Sequence, residues 1–406
     1  MGRLRGREPR YAAHARARRD LGVRPLRGGD QRAPDRLAYV ADSPPAARRG
    51  RRRGRGRRRR GVTEARLSEP LFVPIPARAG SPSEARAFEI DAGLWQLRIP
   101  LAYAHAPSVN GYLLARERDH VLVDCGSSLP PAWAGLEAAL ALAGVAPEEI
   151  GLLVTTHHHS DHAGLVSVVI ARTGCTYAHL DGPATLTEPL RELDRPAAER
   201  RALAAEQGIP AWLLDLWIAN HVAADGATPI PPGDRLLREG EVLRTRATDW
   251  IVLHAPGHCA SQLMLHDVAA GRLISADVVL RAPAPYVEWR HRPDAFGDHL
   301  RSIDRVESLA PALLLPGHGR PVEDVASDVG FAREAALSLL AETRRLLADG
   351  PATPYDLAHR YAAPSKSLDL LQLVTSTLLA ALDHLELRGE VVSRHDAAGV
   401  RIVALA

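Results

Sequence analysis

The chain is poor in lysine, cysteine and aromatic side chains. Lys366 is the only lysine among 51 basic residues, and 406 residues contain three cysteines, four phenylalanines and two methionines. Cys125, Cys175 and Cys259 are too few and too scattered for a disulfide framework or a CxxC zinc ribbon, which points to a reducing compartment, taken as the cytoplasm. No uninterrupted apolar run approaches the roughly eighteen residues of a membrane span, so a membrane enzyme is not expected. The basic start of the chain is followed by no apolar stretch of the kind a secretory signal needs. The sequence also lacks a GxSxG elbow, a Walker A loop and a Rossmann glycine fingerprint, which removes three common sources of catalysis.

What is present is unevenly distributed. Residues 1–61 hold 21 arginines and 5 acidic residues, a charge of +16, so the formal +3 of the whole chain leaves −13 on the rest. The stretch culminates in RRGRRRGRGRRRR and has almost no periodic apolar pattern. It buries too little surface to offset its ordering entropy, and we expect it to be disordered. It reads either as a basic arm for anionic partners or, our preference, as an upstream stretch of an arginine-biased reading frame that is not part of the native chain, with Val62 the real start.

From Phe88 onward strand-like and helix-like segments alternate, which argues for an α/β layered fold. AFEIDAGLWQLRIP and NGYLLARERDHVLVDCG read as β runs, PAWAGLEAALALAG as a helix, GLLVTT as a buried strand, and HHHSDHAGLVSVVIARTG as a loop entering a helix that ends at Gly174. Residues 183–226, with Trp212 and Trp217, read as a helical insertion. Strand signals resume in DRLLREGEVLR, WIVLHAP, SQLMLHD and GRLISADVVL. Helices follow over about 294–309 and 322–347, with the apolar run ALLLP between them. We expect a catalytic unit over 62–335 and a smaller module over 336–406. In that module Thr353, Pro354 and Asp356 start a helix, Leu368–Leu387 forms a second, and a hairpin turns at DAAG, a winged-helix-like order.

Chemistry concentrates in HHHSDH, residues 157–162. His157 and His159 are one residue apart, so past a strand end both point the same way, while His158 alternates away. Asp161 and His162 offer donors to a second ion nearby. The missing donors appear downstream at strand ends: His258 in HAPGHC, Asp277 in RLISAD and His318 in LLLPGHG, two of them presented by Pro-Gly turns. This assigns His157, His159, His258 and Asp277 to one metal, and Asp161, His162, His318 and shared Asp277 to another. Cys259, beside His258, reads as a packing thiol rather than a nucleophile or redox site, and His179 and His254 read as structural histidines or as partners of the ligands. Tyr286 and Trp289 are divided evenly between pocket and core.

VLVDCG, THHHSDHAG, HAPGHC, ISAD and LLPGHG, in this order, resemble the metallo-β-lactamase superfamily, in its glyoxalase II-like branch, over about residues 90–325. The resemblance implies an αβ/βα four-layer sandwich with two divalent ions, zinc first among zinc, iron and manganese, at the edge between the sheets. The position four residues after His258, commonly histidine in the family, is Gln262, and no basic glutathione-binding cluster is seen. The function implied is hydrolysis of a small ester, thioester or lactone by a hydroxide bridging two metals and oriented by Asp161. The alternatives are a phosphodiesterase or endoribonuclease of the same fold, and a nucleic-acid-binding regulatory protein with a vestigial site. Residues 341–406 carry 7 basic and 8 acidic residues, a poor phosphate grip, so a small molecule rather than nucleic acid is the expected partner.

Overall fold

A computed structural model describes residues 84–406 except 103–105, 130–131, 183–188, 224–225, 283–284, 291 and 364–367. The arginine-rich stretch 1–61 lies outside the described residues, all of which belong to one compact unit, Leu67–Ala406.

Seven strands form the first sheet: β1 (Arg86–Asp91), β2 (Leu94–Pro100), β3 (Ser108–Ala115), β4 (His120–Val123), β5 (Ile150–Val154), β6 (Thr176–Leu180) and β7 (Arg235–Leu237), in sequence order. β1 to β4 pair antiparallel and β4 to β7 parallel. Helices α1 (Ala132–Leu142), α2 (Ser160–Ala163) and α3 (Val166–Thr173) lie in its crossovers. The single helix expected after HHHSDH is thus two, broken at Gly164–Leu165, and α3 stops at Gly174, whose left-handed φ of 69° suits glycine.

The second sheet runs β12-β11-β10-β9-β8, built from β8 (Val242–Arg244), β9 (Asp249–His254), β10 (Leu263–Asp267), β11 (Arg272–Ala276) and β12 (Leu313–Pro316). Helices α4 (Ala197–Glu206) and α5 (Ala211–Ala223) fall in the stretch 183–226 read as helical, while α6 (Ala295–Leu309) and α7 (Val325–Leu347) flank β12. The chain ends with α8 (Pro354–Ala362), α9 (Leu368–Leu387) and the hairpin β13 (Val391–His395) and β14 (Arg401–Leu405). Thr353 caps α8, its Oγ1 accepting from the Asp356 amide at 3.0 Å.

Alternation along the strands sorts the cores. Leu114, Val121, Val123, Leu152 and Val154 of the first sheet share a cluster with Val252, Leu263, Leu265 and Ile274 of the second. The opposite parity of the first sheet, with Leu97, Leu113, Leu122 and Leu153, packs with Leu136 and Leu140 of α1 and Val166 and Val169 of α3. The opposite parity of the second, with Leu253, Met264 and Leu273, packs with Ile303 and Val306 of α6 and Val325 and Val329 of α7.

A fourth cluster gathers the insertion and the C-terminal elements: Leu213, Leu214 and Trp217 of α5, Leu339 and Leu340 of α7, and Leu371, Val374, Leu378 and Leu382 of α9. Helix α7 crosses residues 335 and 336 without a break. By length and composition alone, Leu370–Leu387 in α9 passes for a membrane span, with 61% of that window buried in the protein. Gln372, Thr375, Ser376, Thr377, Asp383 and Glu386 interrupt this stretch, so it is no uninterrupted apolar run and only its window average is apolar.

Candidate metal centre

The site stands where strands of both sheets end. β5 leads through Thr155 and Thr156 to His157, β9 leads to the His258 turn, Asp277 directly follows β11 and β12 runs into Gly317 and His318. Backbone bonds join the sheets at this edge: the Leu263 amide donates to the Thr156 carbonyl at 2.8 Å and the Asn110 amide to the Gly317 carbonyl at 2.7 Å. Asn110 Nδ2 and the Tyr112 hydroxyl donate to the Pro316 carbonyl, at 2.8 and 2.7 Å. Ala276, immediately before Asp277, has a left-handed φ of 45°, a conformation costly for a residue with a Cβ.

All seven residues read from the sequence converge here. His157 Nε2 and His258 Nε2 lie 3.0 and 2.8 Å from His159 Nδ1. Asp161 Oδ2 lies 3.2 Å from His318 Nε2 and 3.7 Å from His162 Nε2. Asp277 sits between the two groups, with Oδ2 3.6 Å from His258 Nε2 and 3.5 Å from His318 Nε2, and Oδ1 3.5 Å from His162 Nε2. Donor atoms of His157, His159 and His258, of His157, His162 and Asp277, and of Asp161, His162 and His318 each fall within 4.8 Å of one another. Asp161 does not serve as a cap, since the N-cap position of α2 belongs to His159.

The outer hydrogen bonds fix which nitrogen faces inward. A carbonyl or carboxylate only accepts, so the ring nitrogen against it carries the proton. His258 Nδ1 donates to the Tyr286 carbonyl at 3.1 Å, His318 Nδ1 to the Ser108 carbonyl at 2.9 Å, His162 Nδ1 to Asp124 Oδ2 at 2.8 Å and His159 Nε2 to Glu288 Oε1 at 3.0 Å. Thr156 Oγ1 gives its hydrogen to Asp124 Oδ2 and therefore accepts from His157 Nδ1 at 3.0 Å. With these protons outside, lone pairs face one another inside at 2.8–3.0 Å, an arrangement that a cation relieves. Among the described residues, buried His162 Nε2 and Asp277 Oδ1 have no hydrogen-bond partner. The donor set, imidazole nitrogens with two carboxylates, fits divalent zinc, iron or manganese.

Electrostatics divide the cluster in two. Burial, helped by neighbouring histidines, pushes His157 well below its ordinary value and His258 down to about 3; burial also lowers His159 against the pull of Glu288. In the other half burial is outweighed. Asp277 and Asp161 hold His318 up at about 10, and with Asp124 they raise His162 well above its usual range. His162 and His318 in turn depress both carboxylates despite burial.

Sequence reasoning missed two supports. Asp124 stood inside VLVDCG without a role; at a φ of 60° it accepts from the Thr156 amide, the Thr156 hydroxyl and His162. Glu288, 2% exposed, accepts from both His158 and His159, with Arg191 3.5 Å away. His158 joins none of the three donor groups; its ring lies 5.0 Å from the His159 ring, its Nε2 reaches the same Glu288 oxygen, and its Nδ1 accepts from Ser261 Oγ at 2.8 Å. Tyr286 and Trp289 part company. The Tyr286 ring lies 5.4 and 5.3 Å from the His159 and His258 rings and under the Arg191 guanidinium, while Trp289 is core. Cys259 is buried and its thiol is pushed well up by that burial, so it is a neutral packing group. His254 and His179 bond to backbone groups of Ala260, and of Leu180 and Gly233. Gln262 is fully buried, and neither side-chain polar atom has a partner among the described residues.

Comparison with known proteins converges on one family. The family model described as the metallo-beta-lactamase superfamily matches residues 106–318, a span that includes all seven donors. The probable metallo-hydrolase YqjP of Bacillus subtilis is 26% identical over 305 residues, 73% of this chain and 93% of that protein. The acyl-coenzyme A thioesterase MBLAC2 of Gallus gallus is 27% identical over 234 residues, 53% of this chain and 74% of that protein. A metallo-beta-lactamase family protein of Thermus thermophilus superposes with a TM-score of 0.67 at 25% identity, covering 78% of this chain and all of its own. A beta-lactamase domain protein of Burkholderia ambifaria gives 0.61 at 27%, covering 78% and 94%.

Proposed function

The chain belongs to the metallo-beta-lactamase superfamily and is a metallo-hydrolase of that fold, and from this premise we propose that it hydrolyses a small acyl thioester, ester or lactone, thioester first. The observation that carries the reading is the convergence of seven donors into two groups sharing Asp277. The choice of a thioester draws support from the thioesterase relative. Within the superfamily we place the chain near the glyoxalase II-like branch, in a four-layer sandwich with a winged-helix-like C-terminal module. Its three cysteines are free thiols, which suits a reducing compartment such as the cytoplasm.

His157, His159 and His258 would hold one ion, Asp161, His162 and His318 a second, with Asp277 between them. When bound, two divalent cations supply Lewis acidity and a water acidic enough to react near neutral pH. Asp161, a carboxylate within 3.2 Å of His318 Nε2, accepts a hydrogen bond from the attacking water and holds its lone pair toward the acyl carbon. Addition to the carbonyl is followed by cleavage of the acyl–sulfur bond, and the thiolate leaves with the proton that the water gives up. Tyr286, packed on His159 and His258, forms one wall of the approach.

The test is purified protein of known metal content assayed against acyl-coenzyme A thioesters, aryl esters, lactones and phosphodiesters. Turnover of the thioester that disappears on chelation and returns with metal is the expected result. Turnover confined to phosphodiesters would overturn the substrate class and favour the nuclease alternative.

A further inference from the structure

Residues 285–289 run between the metal centre and α9, and their alternation divides the two sides. Tyr286 and Glu288 serve the centre: the Tyr286 carbonyl accepts from His258 Nδ1, and Glu288 Oε1 accepts from His159 Nε2. The Glu288 amide donates to the His258 carbonyl at 3.0 Å, so the same residue holds both histidines. Val287 and Trp289 face the other way, 0% and 2% exposed, into the cluster that contains Val374 and Leu378. Two buried hydroxyls of α9 grip the backbone there. Ser376 Oγ donates to the Val287 carbonyl at 3.0 Å and accepts from the Trp289 amide at 3.3 Å. Thr377 Oγ1 accepts from the Val287 amide at 3.1 Å and lies 3.2 Å from the Pro285 carbonyl. Trp289 Nε1 donates to Asp383 Oδ2 at 2.7 Å.

We propose that residues 285–289 are a positioning strap, in which Glu288 fixes the His159 ring with Nδ1 inward, and that α9 anchors the strap through Ser376 and Thr377. The C-terminal module is then part of the apparatus that sets metal affinity, whatever else it does. A ligand histidine depends on the acceptor behind it, and loss of such an acceptor typically lowers metal affinity 10–100-fold. His159 has Glu288 in that place, and Glu288 takes its place from a backbone held on both sides of Val287. The Glu288 carboxylate has a second duty, accepting from His158 Nε2 at 3.2 Å, which tethers the Ser261 loop to the strap.

This inference rests on the metal-centre reading, so metal uptake by the unaltered protein is measured first; uptake of no cation refutes that reading itself, independently of the strap. The strap is then read by chelator competition and by the visible absorption of cobalt(II)-loaded protein, with no substrate present. Glu288→Ala should weaken one of the two ions 10-fold or more and shift its absorption band, and Glu288→Gln, which keeps an acceptor oxygen, should weaken it less. Ser376→Ala with Thr377→Val touches no donor residue yet should weaken the same ion; the single Ser376→Ala serves if the pair does not fold. Folded Ser376 and Thr377 variants with unchanged affinities and spectrum would overturn the anchoring. Unchanged affinity in Glu288→Ala, or equal weakening of both ions, would overturn the positioning role.

Discussion

Asp277 and Asp161 are both carboxylates of the centre, yet their surroundings assign them different work. Asp277 lies 3.5–3.6 Å from His162, His258 and His318, whereas Asp161 approaches only His162 and His318. Asp277→Asn removes charge shared by two ions and should bring metal content below two per chain, while Asp161→Asn should cost turnover more than metal. Elemental analysis beside rate measurements checks the contrast, and equal metal content with retained activity would count against a shared carboxylate. His299 supports a prediction of a different kind. It is 4% exposed, neither ring nitrogen has a partner among the described residues, and burial lowers it from 6.5 to about 4. A histidine depressed in the folded state leaves the unfolded chain binding more protons between those values. Stability is therefore complete above pH 6.5 and falls as pH drops toward 4, by on the order of 3 kcal/mol from this group. His299→Leu should flatten that fall in denaturant titrations at pH 7.5 and 5.0; parallel losses in both proteins would mean His299 is not held neutral. The seven donors could be read from sequence because each lies at or shortly past a strand end, inside a short local motif. Glu288 could not, since its bond to His159 spans 129 residues and no spacing announces it.

At the scale of elements, the centre depends on how closely β12 turns beneath it. Gly317, between Pro316 and His318, lies where a Cβ would stand 2.0 Å from Asp277 Oδ1 and 2.8 Å from His162 Cε1. Gly317→Ala would displace both side chains, so metal binding should fall sharply while far-ultraviolet circular dichroism stays as it is. Normal metal content in that variant would show the turn to be more yielding than this packing implies. Helix limits were largely legible beforehand, because caps and breakers act locally: Thr353 before Pro354, Asp294 before α6, Gly174 after α3. The break within residues 160–173 leaves no signal in the sequence because Gly164 keeps a helical φ and ψ of −61° and −31°, and the departure falls on Leu165, at −91° and 2°, an ordinary helix former in an unbroken apolar pattern. Apolar periodicity says which face of α9 is buried and nothing about what covers it, so its hold on residues 285–289 is visible only in three dimensions.

For the molecule as a whole, the sequence suggests a catalytic unit followed by an appended module, and the packing bears on how independent the two are. The cluster around α9 takes in Trp217 of the insertion, Val287 and Trp289 of the strap, Phe296 of α6 and Leu339 to Leu347 of α7. Helix α6 contributes Phe296 to this cluster and Ile303 to the cluster beneath the second sheet, and α7 divides itself in the same way. Two cores that share two helices cannot separate without exposing part of each. Removal of residues 350–406 would uncover Val287, Trp289, Phe296, Leu340 and Leu347, each worth about 1.5–3 kcal/mol of burial for an aliphatic or aromatic side chain. That sum rivals the entire stability of an ordinary domain. The truncated chain should therefore lose cooperative unfolding, and the intact protein should melt in one transition with equal calorimetric and van't Hoff enthalpies. Removal of residues 1–61 should leave the same transition in place, because a stretch with no apolar pattern brings no core with it. A calorimetric trace resolving two transitions, or a truncated protein that keeps the first of them, would show that α9 is an independent attachment and that the two cores fold apart.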